Sequence, residues 1–344
     1  MIIKNNTNTK NVYEFILINS KLNFVKISNF GATIMQIVLE DINNKKTDIT
    51  LGYDTIEEYM RKDNIYYFGA TCGRFANRIK NAKFKIGEKE YKLNNNDGNN
   101  ILHGGEEGFN KKIFNILKIE EENDKNILVL EYFSKDLEMG FPGNLNLSVT
   151  FSFDDNDVLS ITYEAKSDKD TYVNFTNHTY FNLNGVEESN NIENHYLQID
   201  SKHILELDNE QVPNGKLFNI KNTPFDFTNT KQIGKEINDI LLKKTKGYDH
   251  NYCLDDTKKS IKVFSELTKI KLEIKTTLNG MQLYTANFLE NVKGKKNIIY
   301  NKRSGVCFET QHYPNNPNIN AFPKSLLKKD EKYISKTEYK FSLM

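Results

Sequence analysis

The residue types best suited to acid–base chemistry near neutral pH cluster in residues 177–183, Asn-His-Thr-Tyr-Phe-Asn-Leu. Histidine has the side chain whose ordinary pKa lies closest to neutrality, so a fixed imidazole gives or takes a proton without a large change in its surroundings. Aromatic and amide side chains beside it are the groups that meet the apolar and polar faces of a small substrate. His178 is therefore the first candidate for a proton-transferring residue.

A carboxyl partner is found in residues 306–312, where Glu309 lies in otherwise apolar company on a predicted strand. Burial of a carboxylate costs free energy, and desolvation raises its pKa toward the range in which a general base works best. Glu309 is thus a candidate base. The competing interpretation is a glutamate on the solvated side of the strand, which is the common fate of a lone glutamate. Residues 280–285 have the same character and carry Gln282.

Three further polar clusters could bind a substrate. Asn77 and Arg78 carry groups that donate hydrogen bonds to hydroxyls, and Asp249 carries a carboxylate that accepts from two neighbouring hydroxyls. His103 precedes two glycines, which let backbone or ligand approach closely. The alternatives are a surface salt-bridge arginine, a solvated histidine in a turn, and an Asx turn with His250 exposed.

Metal and nucleotide chemistry are not indicated by the spacing of the ligand types. The six histidines form no HExxH, HxH or cysteine–histidine set, and the glycines form no nucleotide-binding motif. Three distant cysteines, Cys72, Cys253 and Cys307, predict neither a zinc site nor a disulfide framework and favour a reducing compartment. We expect no metal and no cofactor.

The elements that position these groups are predicted to be strands. Apolar and polar residues alternate over 145–153 and again over 159–165, with turn residues between them, which predicts a hairpin. A second hairpin is predicted over 84–93, with its turn at 87–88, and a further strand over 270–274.

Helical periodicity is scarce. The spacing of Ile233, Ile237, Ile240 and Leu241 predicts one short helix that covers the end or edge of a sheet. The chain has no Pro- or Ser-rich linker and no repeat of fixed period. The simplest architecture is all-β, a single large antiparallel β-sandwich domain over 1–344.

Composition narrows the classes of partner. The 344 residues include 47 basic and 46 acidic side chains, a net charge of +1, so nucleic acid and anionic membranes are not expected partners. A hydrophobic content of 38% still supports a core. The N-terminus lacks a continuous apolar segment, and no apolar run approaches the roughly 20 residues that span a bilayer. A cytoplasmic location is expected.

Six motifs, in order GRFANRI, LHGG, NHTYFNL, GYDHN, GMQLYT and ETQHYP, resemble those of the aldose 1-epimerase (galactose mutarotase) family. The resemblance runs from about residue 20 to 344, with further matches at 29–32 and 223–227. It implies a large β-sandwich of the galactose mutarotase type with few short helices. The chain departs from the family in three ways. It has no tryptophan, it has Phe114 where relatives often carry a tryptophan, and it has Asn315 where an aspartate is usual. We expect these departures to affect sugar preference and contacts at the rim of the site.

The resemblance implies an isomerase that interconverts the α and β anomers of free aldohexoses such as glucose and galactose, by ring opening and reclosure without a cofactor. The expected partner is a monosaccharide, and the expected assembly is a monomer or weak homodimer. The implied catalytic residues are Glu309 as general base, His178 as general acid and His103 at the reacting end of the sugar; the implied binding residues are Arg78, Asn77, Asp249 and Gln282.

Two other classes of function remain open from the sequence. Glu309 and Asp249 could form the carboxylate pair of a hydrolase or lyase acting on oligosaccharides. A non-catalytic sugar-binding protein could keep the same fold. A phosphorylated hexose is a closer variant, and it would require additional cationic groups in the pocket.

Overall fold

Antiparallel β-strands form most of the regular structure in residues 1–122, 124–188, 191–255 and 259–344, the parts of the chain that this computed structural model describes. In the first half the strands are β1 (Ile2–Asn6), β2 (Tyr13–Ile18), β3 (Phe24–Ser28), β4 (Thr33–Glu40), β5 (Lys46–Asp48), β6 (Thr71–Cys72), β7 (Arg78–Ile79), β8 (Lys83–Ile86), β9 (Lys89–Lys92), β10 (Ile101–Leu102), β11 (Asn115–Glu122), β12 (Lys125–Ser134), β13 (Leu145–Asp154), β14 (Val158–Ser167), β15 (Thr171–Tyr172) and β16 (Thr176–Asn177).

The strands of the second half follow a break around His178. They are β17 (Tyr180–Phe181), β18 (Tyr196–Ile199), β19 (Ser201–Leu207), β20 (Pro213–Asn219), β21 (Lys231–Gln232), β22 (Asp249–Leu254), β23 (Ser260–Phe264), β24 (Ile270–Thr276), β25 (Gly280–Tyr284), β26 (Val292–Lys293), β27 (Ile299–Tyr300), β28 (Val306–Gln311), β29 (Leu326–Leu327) and β30 (Lys332–Leu343).

The strands predicted from alternation are confirmed. Strands β13 and β14 pair as the first predicted hairpin, β8 and β9 as the second, and β24 contains the predicted 270–274 strand. In β13, Leu147, Val149 and Phe151 are buried while the intervening polar residues are partly exposed. The pattern is readable because one face of this sheet is packed and the other meets water.

Three sheets enclose the main core. One has five strands in the order β1-β2-β3-β4-β5, one has nine in the order β11-β12-β13-β14-β30-β24-β23-β18-β21, and one has six in the order β17-β28-β25-β22-β19-β20. Phe151 and Ile274 of the nine-stranded sheet share one buried cluster with Met281 and Phe308 of the six-stranded sheet. The predicted all-β sandwich is therefore confirmed, with one face of the six-stranded sheet directed into the core and its other face free to carry polar groups.

The predicted helix over 233–241 is wrong. This segment forms two 3₁₀ turns, Ile233–Glu236 and Ile240–Leu242, while the α-helix in the described ranges is a single turn, α1 (Ile56–Tyr59). Ile233 and Ile237 are buried, whereas Ile240 is 74% exposed, so the apolar stripe is interrupted. Gly234 also weakens helix formation there. The other 3₁₀ turns are Lys80–Ala82, Phe109–Lys111, Glu138–Gly140, Val186–Glu188, Lys295–Asn297 and Asn316–Asn318. No helix in the described ranges has the length and apolarity to cross a membrane.

Candidate active site

Neighbouring strands of the six-stranded sheet place a row of polar side chains next to one another. Gln282 on β25 is the direct partner of Glu309 on β28, and Asn251 on β22 is the direct partner of Gln282. Phe308, one residue before Glu309, and Leu283, one residue after Gln282, lie in the core. Since side chains alternate along a strand, the polar row lies on the face away from the core.

His178 lies in the short break between β16 and β17, and its main chain is held on both sides. Its N–H donates to the carbonyl of Ala70 and its carbonyl accepts from the N–H of Gly69, both across 2.9 Å. Two tyrosine rings stack on the imidazole at small angles, Tyr180 at 5.0 Å and 26° and Tyr67 at 5.8 Å and 20°. The ring is thus fixed in position and orientation.

His103 follows β10 and is bound to Asn77 through two contacts. The N–H of Asn77 donates to Nδ1 of His103 across 3.2 Å, and the N–H of His103 donates to the carbonyl of Asn77, also across 3.2 Å. Both residues have left-handed backbones, with φ of 64° at Asn77 and 50° at His103. Because Nδ1 accepts a hydrogen bond, the neutral ring of His103 carries its hydrogen on Nε2.

The imidazole of His178 faces the carboxyl of Glu309. Nε2 of His178 lies 3.6 Å from Oε1 of Glu309, and the two side chains are only 5% and 3% exposed. Burial raises the pKa of Glu309 well above its usual range, and the nearby Asp249 raises it further, against the opposing effect of Arg78. Burial also lowers the pKa of His178 to about 4. Oε2 of Glu309 is buried without a hydrogen-bond partner in the described part of the chain.

Groups that can donate hydrogen bonds to hydroxyls or accept from them flank this pair. The Gln282 side-chain amide donates to Oδ1 of Asp249 across 2.6 Å. Burial raises the pKa of Asp249, while Arg78 and the hydrogen bond from Gln282 act in the opposite direction. Nε of Arg78 donates to Oδ2 of Asp97 across 2.7 Å, which fixes the plane of the guanidinium and aims it.

Except for Asp97, the side chains that surround the pair line one cavity of about 180 Å³. Its walls include every residue for which a role was predicted from the sequence: Asn77, Arg78, His103, His178, Asp249, Gln282 and Glu309. Aromatic rings of Tyr67, Tyr180, Tyr284 and Phe288 complete it. Larger cavities exist, such as one of about 430 Å³ beside Arg61, but the buried carboxyl–imidazole pair lies in the smaller one. Perturbed acid–base groups that converge in a cavity define a candidate active site better than volume does.

Potential metal-ligand atoms of His103, His178 and Glu309 lie within 4.8 Å of one another. This proximity arises from folding, so motif spacing could not indicate it. In His103, however, Nδ1 already accepts from the N–H of Asn77, which leaves the hydrogen on Nε2. A metal ion needs an unprotonated nitrogen, so the arrangement suits proton transfer and hydrogen bonding better.

The structure decides between the competing interpretations of single residues. Glu309 is 2% exposed and points away from solvent, and His103 is 6% exposed rather than solvated. His250 is buried within β22 instead of exposed in an Asx turn. Arg78 does form an ion pair with Asp97, yet it also lines the cavity.

The structure places Phe114 and Asn315, two departures from the family motifs, in buried positions. Phe114 is fully buried in the main core, where it packs on Phe109 and Tyr132. Asn315 is 2% exposed and accepts a hydrogen bond from the N–H of Lys80 across 3.1 Å. Neither residue is among those that line the cavity.

Several residues at the site were missed by sequence reasoning. Asp97 lies in an Asn-rich patch that gave no signal, and Tyr67 and Phe288 carried no distinguishing pattern. Tyr284 lies within the GMQLYT motif but was given no role. Cys307 could have been found, because it precedes Glu309 by two residues on a strand and must share its face.

A β-sandwich that holds a buried carboxyl–imidazole pair among groups able to hydrogen-bond to hydroxyls fits an acid–base enzyme for a small carbohydrate. Comparisons with known proteins agree. The aldose 1-epimerase family profile matches residues 14–340. The galactose mutarotase of Homo sapiens is 37% identical over 330 residues, 95% of this chain and 93% of its own length. The aldose 1-epimerase of Escherichia coli is 35% identical over 324 residues, 92% of this chain and 91% of its own length.

Solved structures show the same fold. The galactose 1-epimerase of Lactobacillus acidophilus superimposes with a TM-score of 0.87 at 28% identity, covering 100% of this chain and 98% of its own. An aldose epimerase homologue from C. elegans superimposes with a TM-score of 0.85 at 27% identity, covering 95% and 99%. The chain belongs to the aldose 1-epimerase family and is an isomerase with mutarotase function.

Proposed function

We propose that this protein interconverts the α and β anomers of free aldohexoses, with galactose and glucose as substrates, and that Glu309 and His178 perform the proton transfers. The observation that carries the proposal is the 3.6 Å approach of His178 Nε2 to Glu309 Oε1 inside a cavity lined by Arg78, Asp249 and Gln282. The galactose mutarotase relatives support galactose as a substrate. Glucose rests on the common pyranose chemistry of the two sugars.

In the proposed reaction Glu309 removes the proton of the C1 hydroxyl while His178 protonates the ring oxygen. The C1–O5 bond breaks and the electron pair of the O–H bond forms the aldehyde carbonyl. Rotation about C1–C2 exposes the other carbonyl face. In reclosure His178 takes the C5 hydroxyl proton, O5 attacks C1 and Glu309 returns a proton to the former carbonyl oxygen, which becomes the new C1 hydroxyl, so both groups end as they began.

The two groups work as a unit because together they hold one proton. Burial disfavours a charge on either group, as the raised pKa of Glu309 and the lowered pKa of His178 show. A neutral carboxyl beside a neutral imidazole has the same proton count as a carboxylate beside an imidazolium. Transfer of that proton to His178 produces the base and the acid together, without a net charge in the buried site.

The cavity favours one sugar ring without a phosphate. Ligand pockets for larger molecules are typically about 300–1,000 Å³, whereas this one is about 180 Å³. Arg78 is the one guanidinium or ammonium group among the described residues that line it, and Arg78 is already paired with Asp97. Asp249 and Glu309 would add negative potential against a phosphate. An oligosaccharide and a phosphorylated hexose therefore fit less well than a free hexose.

The test is polarimetry of freshly dissolved α-galactose and α-glucose. We expect Glu309→Gln to lower the catalysed rate by roughly 10² to 10⁴-fold, as loss of a positioned base does. Its thermal stability should not fall, because an amide replaces a buried carboxyl that costs free energy. Glu338→Gln, in an exposed pair with Lys336, is the matched control and should keep the wild-type rate. A wild-type rate in Glu309→Gln would remove Glu309 from the mechanism.

A further inference from the structure

One strand of the six-stranded sheet contacts both nitrogens of the imidazole of His178. Glu309 on β28 approaches Nε2, while Sγ of Cys307, two residues earlier on β28, lies 3.6 Å from Nδ1. That separation is within hydrogen-bond range for sulfur, and both residues are buried. The register fixes this contact, because Cys307 pairs directly with Tyr180, whose ring stacks on His178 at 5.0 Å.

The hydrogen-bonding capacity of a thiol suits a ring that changes its protonation state. Burial raises the pKa of Cys307 well above its usual range, and Glu309 and Asp249 raise it further, so the sulfur keeps its hydrogen. The sulfur can accept a hydrogen bond from a protonated Nδ1. The proposed reaction requires that tautomer, because Nε2 of neutral His178 must be unprotonated to take the C5 hydroxyl proton. A carboxylate in the same place would favour the imidazolium alone.

We propose that Cys307 is a positioning residue whose sulfur accepts a hydrogen bond from Nδ1–H of His178 in both protonation states, so that Nε2, which faces Glu309, is the nitrogen that takes and gives the proton. The role rests on the proposed function of His178 as the acid. Cys307 acts through His178 and does not touch the sugar, since it is not among the residues that line the cavity.

The test compares Cys307→Ala with Cys307→Ser. Alanine removes the hydrogen bond, and the loss of a neutral hydrogen bond corresponds to a fall in kcat of about five- to tenfold. KM should stay unchanged, because Arg78, Asp249 and Gln282 are untouched. Serine donates and accepts as the thiol does, so kcat should return to within about twofold of wild type. Unchanged kcat in the alanine variant, equal loss in both variants, or an effect confined to KM would overturn the proposal.

A matched control separates the hydrogen bond from the void that alanine leaves. Cys72 is a second fully buried cysteine near Glu309, and the described hydrogen bonds do not join it to His178. Cys72→Ala makes a void of the same size and should keep the wild-type kcat. A loss equal to that of Cys307→Ala would assign the effect to packing and overturn the proposal.

Nitrogen-15 NMR of the imidazole in the sugar-free protein gives a readout that is independent of activity. We expect the Nδ1–H tautomer of His178 in the wild-type protein and a mixture of tautomers in Cys307→Ala. Predominance of the Nε2–H tautomer in the wild-type protein would contradict the inference. If instead Glu309→Gln kept full activity while the tautomer was as expected, the proposed mechanism would fail and the positioning contact would stand.

Discussion

Nε2 of His178 and Oε1 of Glu309 face each other across 3.6 Å in a site where burial opposes a charge on either group. Their unperturbed pKa values of 6.5 and 4.5 would let a carboxylate and an imidazolium coexist only between those two values. The folded protein moves the two pKa values past each other. The pair therefore keeps its single proton from about pH 4, below which His178 takes up a second one, to well above pH 4.5.

The first prediction is a broad plateau in the dependence of kcat/KM on pH. The acid limb should fall well below pH 6.5, toward the pKa of about 4 of His178, because only there does the pair take up a second proton. The alkaline limb should fall well above 4.5, where Glu309 loses the last proton. Polarimetric rates from pH 4 to 9 check this, and a narrow optimum between 4.5 and 6.5 would contradict it.

A second prediction concerns Asp249, for which we propose a sugar-binding role and which raises the pKa of Glu309. Asp249→Asn removes a charged acceptor, so KM should rise about tenfold or more. It also removes a negative charge that favours the protonated form of Glu309, so the alkaline limb should move to lower pH. Asp63→Asn on the surface is the control and should change neither quantity. A higher KM with an unmoved alkaline limb would mean that the two carboxyls are not coupled.

A third prediction is that the protein loses stability as the pH falls below 6.5. A histidine whose pKa is lowered by folding stays neutral in the folded state but takes a proton when unfolded, so acid favours unfolding. Buried carboxyls with raised pKa values act in the opposite direction. The histidines with lowered pKa values are His103, His178, His195, His250 and His312, and the opposing carboxyls are Asp249 and Glu309.

On unfolding between pH 6.5 and 5, the five histidines take up protons and the two carboxyls release theirs. The uptake is larger, so unfolding binds protons on balance. The free energy of unfolding should therefore fall by at least about 1.4 kcal/mol per pH unit, the slope for one net proton. Urea unfolding at pH 6.5, 6 and 5 measures it. We also propose that residues 1–344 form a single domain, so one cooperative transition is expected. Constant stability across the window, or two separated transitions, would contradict these expectations.

Local sequence patterns predicted the strands well, but they did not predict which distant residues come together at the site. Alternation identifies β13 and β14 because one face of their sheet is solvated, whereas β28 is buried on both faces and shows no clean alternation. Proximity of His103, His178 and Glu309 depends on the pairing of distant strands, which no local pattern encodes. The motifs of the family resemblance supplied that grouping instead. Asp97 was missed because its role comes from a contact across 19 positions in sequence.

The contact between Arg78 and Asp97 supports a last prediction. Nε of Arg78 donates to Oδ2 of Asp97 across 2.7 Å. This bond fixes the orientation of the guanidinium and leaves its two terminal nitrogens available to other acceptors. A lysine has a single ammonium group and cannot hold the carboxylate and a sugar hydroxyl in two fixed directions. Arg78→Lys should raise KM for galactose about tenfold or more, with a much smaller change in kcat. Asp97→Asn keeps an acceptor for Nε and should raise KM less. If Arg78→Lys lowered kcat with KM unchanged, Arg78 would belong with the proton-transfer groups and not with the groups that bind the sugar.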